Sequence, residues 1–212
     1  MSDIECNSES SARLSAALES LKSGGGVLIV DDPLRENEAD LVFSSDFLTE
    51  NQVARMIRDC SGIICLCLPP DKVDSLELPL MAPENTSRYG TNFTVSIESR
   101  KGVSTGVSAH DRLATIKAAC SPSATRADLA TPGHVFPLRA NPKGVVGRDG
   151  HTEATVDIMK LAGLSPFGVL CELTNPDGSM AKGKEIFDYG KKYGFPVVAV
   201  SDIKAFIVGH LK

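Results

Sequence analysis

Residues 63–68 read Ile-Ile-Cys-Leu-Cys-Leu and form the longest apolar stretch of the chain. The stretch is too short to span a bilayer, which takes about 20 residues, and Pro69-Pro70 closes it, so we predict a buried strand. A strand without polar alternation is typical of a sheet that is covered on both faces. The rest of the chain is therefore expected to supply the covering helices.

Helical and extended patterns alternate on both sides of this strand. Leu14, Ala17, Leu18 and Leu21 have the spacing of an amphipathic helix, and Thr49 with Gln52 has the pattern of a capping box. The predicted helices lie around 14–21, after Thr49, after Ser108, at 153–162, at 184–193 and from Asp202; the predicted strands are 27–30, 41–43, 63–68, 93–97, 135–138, 169–173 and 197–200. This alternation predicts an α/β (α+β-like) fold in which helices cover a mixed β-sheet.

Length and composition favour a single domain over residues 1–212. A chain of 212 residues lies between one and two typical domains, and its composition does not divide it into halves. Hydrophobic residues (42%) and charged residues (23%) are in the ordinary range for globular proteins. Residues 1–9 are polar and are expected to be disordered. They lack the basic and apolar segments of a secretory signal, so we expect a cytoplasmic protein.

Charge and cysteine content argue against several kinds of protein. The net charge of -5, with 27 acidic and 22 basic residues and no compensating basic stripe, argues against a nucleic-acid partner. The absence of a long apolar span argues against a membrane protein. The 6 cysteines include no Cys-x-x-Cys pair, so we expect buried small hydrophobic residues and neither a disulfide framework nor a zinc site.

An acidic stretch, Asp-Asp-Pro-Leu-Arg-Glu-Asn-Glu-Ala-Asp at 31–40, directly follows a predicted strand. In an extended chain Glu36, Glu38 and Asp40 lie on one face, whereas in a helix only Glu36 and Asp40 do. Converging carboxylates repel each other unless a cation or a raised pKa relieves the repulsion. The stretch is therefore either a solvated acidic loop or a hard-cation site with a general base.

A second candidate is the glycine-flanked turn Gly-Arg-Asp-Gly-His-Thr-Glu-Ala at 147–154. It leads into a predicted helix whose first N–H groups, together with Arg148 and Thr152, would bind a phosphate. His151 at the same place would ligate a metal or transfer protons. The alternative is that Thr152 only caps the helix and that His151 is a surface residue.

Two further titratable residues, His134 and Glu172, each allow two interpretations. His134 follows Pro132-Gly133 at the start of a predicted strand and is either structural or catalytic. Glu172 lies in the apolar sequence Gly-Val-Leu-Cys-Glu-Leu, where a carboxylate must be paired, protonated or functional. The alternative for Glu172 is an outward-facing position on an edge strand.

Seven motifs in order resemble the 3,4-dihydroxy-2-butanone 4-phosphate synthase family over about residues 12–210. They are Asp31-Asp32 with Arg35-Glu36-Asn37-Glu38-Ala39-Asp40, Ser61 to Cys65, Tyr89 to Val95, Thr105 to Ser108, Gly133 to Leu138, Gly150 to Ala154 and Gly168 to Leu173. Each motif alone is weak, but the ordered set is highly specific. The resemblance is to the stand-alone form and not to fusions with a GTP cyclohydrolase II domain. Ala39 departs from the family, which usually has glycine there, and a positive φ would strain an alanine.

The resemblance implies a lyase of riboflavin biosynthesis that converts D-ribulose 5-phosphate to 3,4-dihydroxy-2-butanone 4-phosphate and formate, using Mg²⁺ or Mn²⁺. It also implies a homodimer with active sites at the subunit interface. Glu36 and His151 would ligate the metal, and His134 and Glu172 would be essential for the chemistry. The residues implied in substrate binding are Asp31, Arg35, Glu36, Asp40, Cys65, Thr105, Arg148, Gly150, His151, Thr152 and Glu172.

Our mechanistic hypothesis is that Asp40 or Glu38 removes a substrate proton while the metal held by Glu36 and His151 stabilises the enediolate. His134 and Glu172 would then move protons during dehydration, rearrangement and formate loss. The same groups would also serve another metal-dependent sugar-phosphate isomerase, or a non-catalytic sugar-phosphate-binding protein. Formate release distinguishes the lyase from both alternatives.

Overall fold

Seven strands form one mixed sheet in the order β4-β5-β3-β6-β2-β1-β7. The computed structural model describes residues 3–210, with side chains described from Ser8 onward. The strands are β1 (Gly26–Val30), β2 (Ala39–Ser44), β3 (Cys65–Leu68), β4 (Ile97–Ser99), β5 (Leu129–Arg139), β6 (Gly168–Glu172) and β7 (Val197–Ala199). The β1–β7 and β3–β5 pairs are parallel, and the other pairs are antiparallel. The apolar stretch at 63–68 supplies β3, which lies inside the sheet between β5 and β6.

Helices pack on both faces of this sheet. They are α1 (Asp3–Lys22), α2 (Glu50–Asp59), α3 (Pro70–Ser75), α4 (Ala109–Cys120), α5 (His151–Leu161), α6 (Lys184–Tyr193) and α7 (Val200–His210). One face buries Met56 of α2 and Ile116 of α4, and the other buries Leu21 of α1 and Ile158 of α5. The predicted α/β fold with a helix-covered mixed sheet is confirmed. Within residues 3–210, no helix is both long and apolar enough to cross a membrane.

Local signals at the helix ends have the predicted geometry. The Thr49 N–H donates to Gln52 Oε1 (2.8 Å) and the Gln52 N–H donates to Thr49 Oγ1 (3.3 Å), which completes the capping box at α2. Ser108 Oγ accepts from the Asp111 N–H (3.1 Å) at the start of α4. α6 covers the predicted 184–193 and ends at Gly194, whose φ of 75° is the left-handed conformation that glycine adopts readily.

Several boundaries differ from the prediction; the strand predicted at 93–97, for example, begins only at Ile97. α1 begins at Asp3, so the expected disorder is corrected for residues 3–9, while residues 1–2 lie outside the described residues. Ile63 precedes β3 and is 46% exposed, because its N–H turns to Ser61 Oγ (3.1 Å) and not to a neighbouring strand. α3 begins directly at Pro70, since proline fits the first position of a helix, where its missing N–H leaves no donor unpaired.

The described cysteines are free thiols, and most of them are buried. Cys60, Cys65, Cys67 and Cys171 are buried and Cys120 is half-buried; the side chain of Cys6 lies outside the described residues. Burial raises the pKa of Cys65 and Cys67 well above the usual thiol value, so both stay neutral. The prediction of small buried hydrophobic residues is confirmed for the four buried cysteines.

Asp202 ties the first helix to the last. Its carboxylate accepts from the Arg13 guanidinium at both oxygens (2.8 Å each), from Ser10 Oγ (2.7 Å) and from the Ala199 N–H (3.1 Å). Burial alone would raise the pKa of Asp202, but these donors outweigh burial and lower it overall. The ionised form of Asp202 therefore stabilises the fold.

We expect Asp202→Asn to lower the free energy of unfolding at pH 7 by about 1.5–3 kcal/mol, because hydrogen bonds to a charged group are lost. The pKa of Asp202 is lower in the folded than in the unfolded protein. The stabilisation by its charge is therefore fully present above the unfolded-state pKa of about 4, and it is lost as the pH falls through the folded-state pKa. Urea unfolding at pH 7 and pH 3 measures the difference, which should shrink at pH 3.

The matched control is Asp188→Asn, which breaks the exposed ion pair with Lys184 (2.6 Å). We expect that change to stay within about 0.5 kcal/mol, because solvent screens exposed pairs. An equal loss for Asp202→Asn at both pH values would contradict the role given to its charge.

Candidate active site

A small polar cavity opens where β2, β3 and β6 meet the start of α5. Its volume is about 110 Å³. Its lining residues come from six separate parts of the chain and include most of the predicted site residues: Arg35, Glu36, Asp40, Cys65, Thr91, Phe93, Leu138, Arg148, His151, Thr152, Leu170 and Glu172. The cavity therefore joins the acidic stretch to the glycine-flanked turn, which the sequence spacing alone did not show.

Strand register brings the carboxylates together. Asp40 on β2 pairs directly with Glu172 on β6, and Cys65 on β3 pairs with Leu170 on β6. The Ser61 hydroxyl donates to Glu172 Oε2 (2.5 Å) and fixes this side chain. Because β6 lies between β3 and β2, the edge-strand alternative for Glu172 is wrong.

The acidic stretch is neither extended nor helical between 31 and 38, so both predicted geometries are corrected. It forms a closed loop around the Asp31 carboxylate. Asp31 Oδ1 accepts from the Glu38 N–H (3.0 Å), and Oδ2 accepts from the Glu36 N–H (3.1 Å) and from Arg35 Nη1 (2.8 Å). A carboxylate that accepts hydrogen bonds from several backbone N–H groups sets the conformation of the backbone, so the side chains do not alternate as in an extended chain.

Charge and hydrogen bonding keep Asp31 ionised. Burial alone would raise its pKa, but the Glu38 N–H, the charge of His151 and the Arg35 guanidinium outweigh burial, and the net pKa is lowered. Asp31 lies close to Glu36 and His151, yet its oxygens are already engaged and it does not line the cavity. Asp31 therefore holds the loop in place.

Ala39 is not strained. It lies in β2, buried and paired with Val30, and the positive φ in this region falls on Asn37 (φ 55°). Asparagine tolerates the left-handed conformation better than most residues. The departure from glycine at this position therefore brings no backbone strain.

Glu36, Asp40 and His151 form the centre of the cavity. His151 Nδ1 lies 3.6 Å from Glu36 Oε2 and 3.8 Å from Asp40 Oδ2. Two ligands with bonds of about 2.1 Å to one cation lie at most about 4.2 Å apart, so Glu36 and His151 fit a shared divalent ion. His151 Nε2 and Asp40 Oδ1 are buried without a hydrogen-bond partner among the described residues. Such unsatisfied buried atoms mark a site that a ligand completes.

The environment separates the pKa values of the central groups. Burial raises the pKa of Asp40 to about 7, and the neighbouring carboxylates Glu172 and Glu36 add to this. Burial alone would lower the pKa of His151, but Asp40 and Glu36 outweigh it and raise the value to about 9. The neighbouring His151, 3.6 Å away, lowers the pKa of Glu36, and the charge of Arg35 adds to this effect. Such divergent values are typical of groups that exchange protons in an active site.

Glu38 lies next to this centre and does not line the cavity. It is half-buried, and this burial raises the pKa of its carboxyl, with Glu36 and Glu172 adding to the effect. Glu38 is therefore a base candidate only if it can reach a bound ligand from the rim.

The start of α5 provides the anion-binding end of the cavity. Gly150 is the N-cap and has no side chain to cap the helix, so the first N–H groups of α5 stay available. Thr152 lies inside the helix, and the alternative that it is only the N-cap is wrong. Both Thr152 and His151 are buried, so His151 is not a surface residue.

Glu153 and the segment 89–91 hold Arg148 beside this helix start. Arg148 Nη1 donates to Glu153 Oε2 (2.6 Å), and Nη2 donates to the Tyr89 carbonyl (3.1 Å) and to Thr91 Oγ1 (2.8 Å). The buried Glu153 also accepts from the Asn141 N–H (2.8 Å). Sequence reasoning assigned no role to Glu153, and its place in the first turn of α5 was the only signal for it.

Tyr89 is a second residue that sequence reasoning left without a role. Its hydroxyl donates to the Arg35 carbonyl (2.5 Å), and its ring lies 5.0 Å from the Arg35 guanidinium carbon. Its own carbonyl accepts from Arg148. Tyr89 therefore connects the acidic loop to the anion-binding end.

Thr105 and His134 lie outside this cavity. Thr105 is exposed in the loop before α4. His134 is 47% exposed, and its Nδ1 lies 2.8 Å from Oε2 of Glu98 on β4. β4 is on the far side of β5 from β3 and β6. Within one chain, the structure does not bring these two predicted site residues to the cavity.

Comparisons with known proteins agree on one family. The family model described as 3,4-dihydroxy-2-butanone 4-phosphate synthase matches residues 15–206. A curated relative with that name from Desulfatibacillum aliphaticivorans is 58% identical over 92% of this chain and 91% of its own. Another, from Chloroherpeton thalassium, is 60% identical over 90% of this chain and 84% of its own. A crystal structure of a 3,4-dihydroxy-2-butanone 4-phosphate synthase in complex with two magnesium ions is similar at a TM-score of 0.89 and 36% identity, over 93% of this chain and 97% of that one. The similarity thus spans every residue of the cavity.

We expect Tyr89→Phe to loosen the acidic loop, because the bond from its hydroxyl to the Arg35 carbonyl is lost while the ring stays. If the lost hydrogen bond lowers the free energy of local opening by about 1 kcal/mol, the amides of Glu36 and Glu38 should exchange roughly fivefold faster. Hydrogen exchange followed by mass spectrometry measures this. Tyr193→Phe, on α6 and away from the cavity, should leave these amides unchanged. Equal exchange in wild type and Tyr89→Phe would contradict the connection.

Proposed function

The chain belongs to the 3,4-dihydroxy-2-butanone 4-phosphate synthase family, and on this premise we propose that the cavity between β2, β6 and α5 is its active site. Its activity is the conversion of D-ribulose 5-phosphate to 3,4-dihydroxy-2-butanone 4-phosphate and formate, a step of riboflavin biosynthesis. One observation carries the site assignment. The buried Asp40 and His151, with the half-buried Glu36 and Glu172, lie beside a helix start that can hold a phosphate.

We propose that the substrate phosphate binds at the start of α5. The uncapped N–H groups after Gly150, the Thr152 side chain and the Arg148 guanidinium all donate hydrogen bonds, and the positive end of the helix dipole favours an anion. Glu153 neutralises part of the charge of Arg148 but also fixes its direction. With the phosphate held there, the sugar end extends toward Glu36, Asp40 and Glu172.

The remaining substrate contacts follow from the cavity walls. Arg35 and Cys65 line the cavity and would contact the sugar. Cys65 is neutral and buried, so its role is shape and exclusion of water. Asp31 would act through the loop that it organises, by presenting Arg35 and Glu36 in fixed positions.

We propose that Glu36 and His151 hold a divalent cation, as their separation of 3.6 Å allows. When bound, the cation supplies a Lewis acid that polarises the oxygen atoms of the substrate. Magnesium is supported by the related synthase whose crystal structure is in complex with two magnesium ions, whereas an imidazole ligand favours manganese. We propose that either ion supports activity.

The chain's own residues supply the proton transfers. Enolisation of a ketose needs a base beside a carbon-bound hydrogen, and Asp40, with a pKa of about 7, can accept and return a proton near neutral pH. Glu38 is the second candidate base, since its pKa is also raised. Glu172, fixed by Ser61, and His134 would move protons during the later loss of water and of formate.

We propose a homodimer in which the partner supplies the two residues that this cavity lacks. His134 lies beside Glu98 and is half-exposed, and Thr105 precedes Gly106, which packs on the same Glu98 carboxylate. A closed dimer with twofold symmetry can place this surface against the cavity of the other subunit. Each active site would then combine one subunit's Glu36 and His151 with Thr105 and His134 of the other.

We expect Glu36→Gln to abolish formate release without unfolding the protein, because the amide cannot replace a charged metal ligand. Formate and the four-carbon phosphate are measured after incubation with ribulose 5-phosphate, with Mg²⁺, with Mn²⁺ and with EDTA. Binding of Mn²⁺ alone should weaken by roughly 10- to 100-fold. The exposed Glu84→Gln is the matched control. Normal turnover by Glu36→Gln would refute the assignment.

The shared active site has its own test. A mixture of Glu36→Gln and His134→Ala subunits, unfolded and refolded together, should recover up to about a quarter of wild-type activity, because half of the dimers are mixed and each has one intact site. A mixture of Glu36→Gln with His151→Asn should recover nothing, since both defects lie in the same half of each site. Recovery in neither mixture would count against shared sites.

A further inference from the structure

A carboxylate that no part of the proposed mechanism uses lies directly beside His134. The side chain of Glu98 on β4 is only 15% exposed, and its Oε2 lies 2.8 Å from His134 Nδ1. Its other oxygen, Oε1, is buried without a hydrogen-bond partner among the described residues. A buried carboxylate with one unsatisfied oxygen is costly for the fold, which points to a role beyond stability.

The backbone is shaped to bring these two side chains together. Ile97 pairs with Val135, but the next residue, Glu98, pairs with Ala130, so residues 131–134 form a bulge in β5. Gly133 allows the close approach, because a Cβ there would overlap the Ile97 carbonyl oxygen. The Gly133 N–H donates to Ser96 Oγ (3.1 Å). The bulge thus directs His134 toward Glu98.

The loop that carries Thr105 packs on the same carboxylate. Gly106 packs directly on Glu98, since a Cβ on Gly106 would overlap Glu98 Oε1 in its observed position. Asp111 at the start of α4 fixes the loop, since its carboxylate accepts from the Gly106 N–H (3.0 Å) and from both the N–H and the hydroxyl of Ser104. Glu98 therefore lies between Thr105-Gly106 and His134.

We propose that Glu98 is a positioning residue for His134. An ionised carboxylate can only accept a hydrogen bond, so it holds the neutral ring in the form with hydrogen on Nδ1. Nε2 is then the nitrogen that is free to accept and return a proton, and the ring is held in one orientation. Because Gly106 packs on Glu98, the neighbouring Thr105 keeps a fixed position relative to the imidazole ring of His134. This inference rests on the proposed role of His134 in the reaction.

Glu98→Met is the main test, because methionine keeps the length of the side chain and removes the carboxylate acceptor. We expect kcat to fall roughly 10- to 100-fold with KM changed less than about twofold, as for other carboxylates that orient a functional histidine. Nitrogen NMR of labelled protein should show His134 with hydrogen on Nδ1 in wild type and a shift toward hydrogen on Nε2 in the variant. Glu98→Ala repeats the loss of the acceptor if Glu98→Met prevents folding.

The chain contains a matched control pair. His110 Nδ1 lies 3.4 Å from Glu50 Oε2 on the exposed surface of α4 and α2, and Glu50→Met should change neither kcat nor the His134 resonances. An unchanged His134 ring state in Glu98→Met would overturn the proposal.

A double-mutant cycle separates positioning from a general structural role. If Glu98 acts through His134, Glu98→Met should lower kcat no further in a His134→Ala background. An equal loss of kcat in both backgrounds would overturn the proposal in favour of a structural role. Full activity of His134→Ala alone would instead refute the proposed role of His134, and the ring state would still report whether Glu98 controls it.

Discussion

Two carboxylates that face each other across the middle of the sheet determine how the surrounding structure is built. Asp40 and Glu172 are paired residues on β2 and β6, and like charges in opposed positions destabilise an antiparallel pair. Asp40 is buried, so water does not screen its charge. The raised pKa of Asp40 relieves part of this repulsion. The positive charge of His151, whose Nδ1 lies 3.8 Å from Asp40 Oδ2 at the start of α5, relieves more of it.

Two other carboxylates at the site orient arginine side chains. Asp31 orients Arg35, and the buried Glu153 orients Arg148. Each pair largely cancels its own charge, which leaves Glu36, Glu38, Asp40 and Glu172 around the single imidazole of His151. That excess of negative charge favours a divalent cation, whereas the N–H groups of α5 attract the phosphate at the other end. Opposite preferences at the two ends of a small cavity orient a sugar phosphate in one direction.

Local chemistry predicted several helix ends, whereas spacing along the sequence could not predict contacts between distant residues. The capping box at Thr49 and the limits of α6 follow from residues a few positions apart. The shape of the loop 31–38 could not be predicted, because the Asp31 carboxylate binds N–H groups up to seven residues away and overrides any periodic pattern. That Glu36 meets His151 depends on sheet register, and the family resemblance, not the spacing, indicated it. The position of His134 depends on a bulge whose cause, the approach of Ile97 to Gly133, lies on another strand.

The proposed active site consists of two parts that are each rigid within one subunit. Asp31, Glu153 and Tyr89 fix the first part, and the bulge in β5 with Asp111 fixes the second. In the proposed homodimer, the contact between subunits would set the distance from His134 of one subunit to Glu172 of the other. Catalytic groups must be placed to within a fraction of an ångström. In this arrangement the dimer interface is therefore a component of the catalytic geometry, and a substitution in that interface would affect turnover without touching either part.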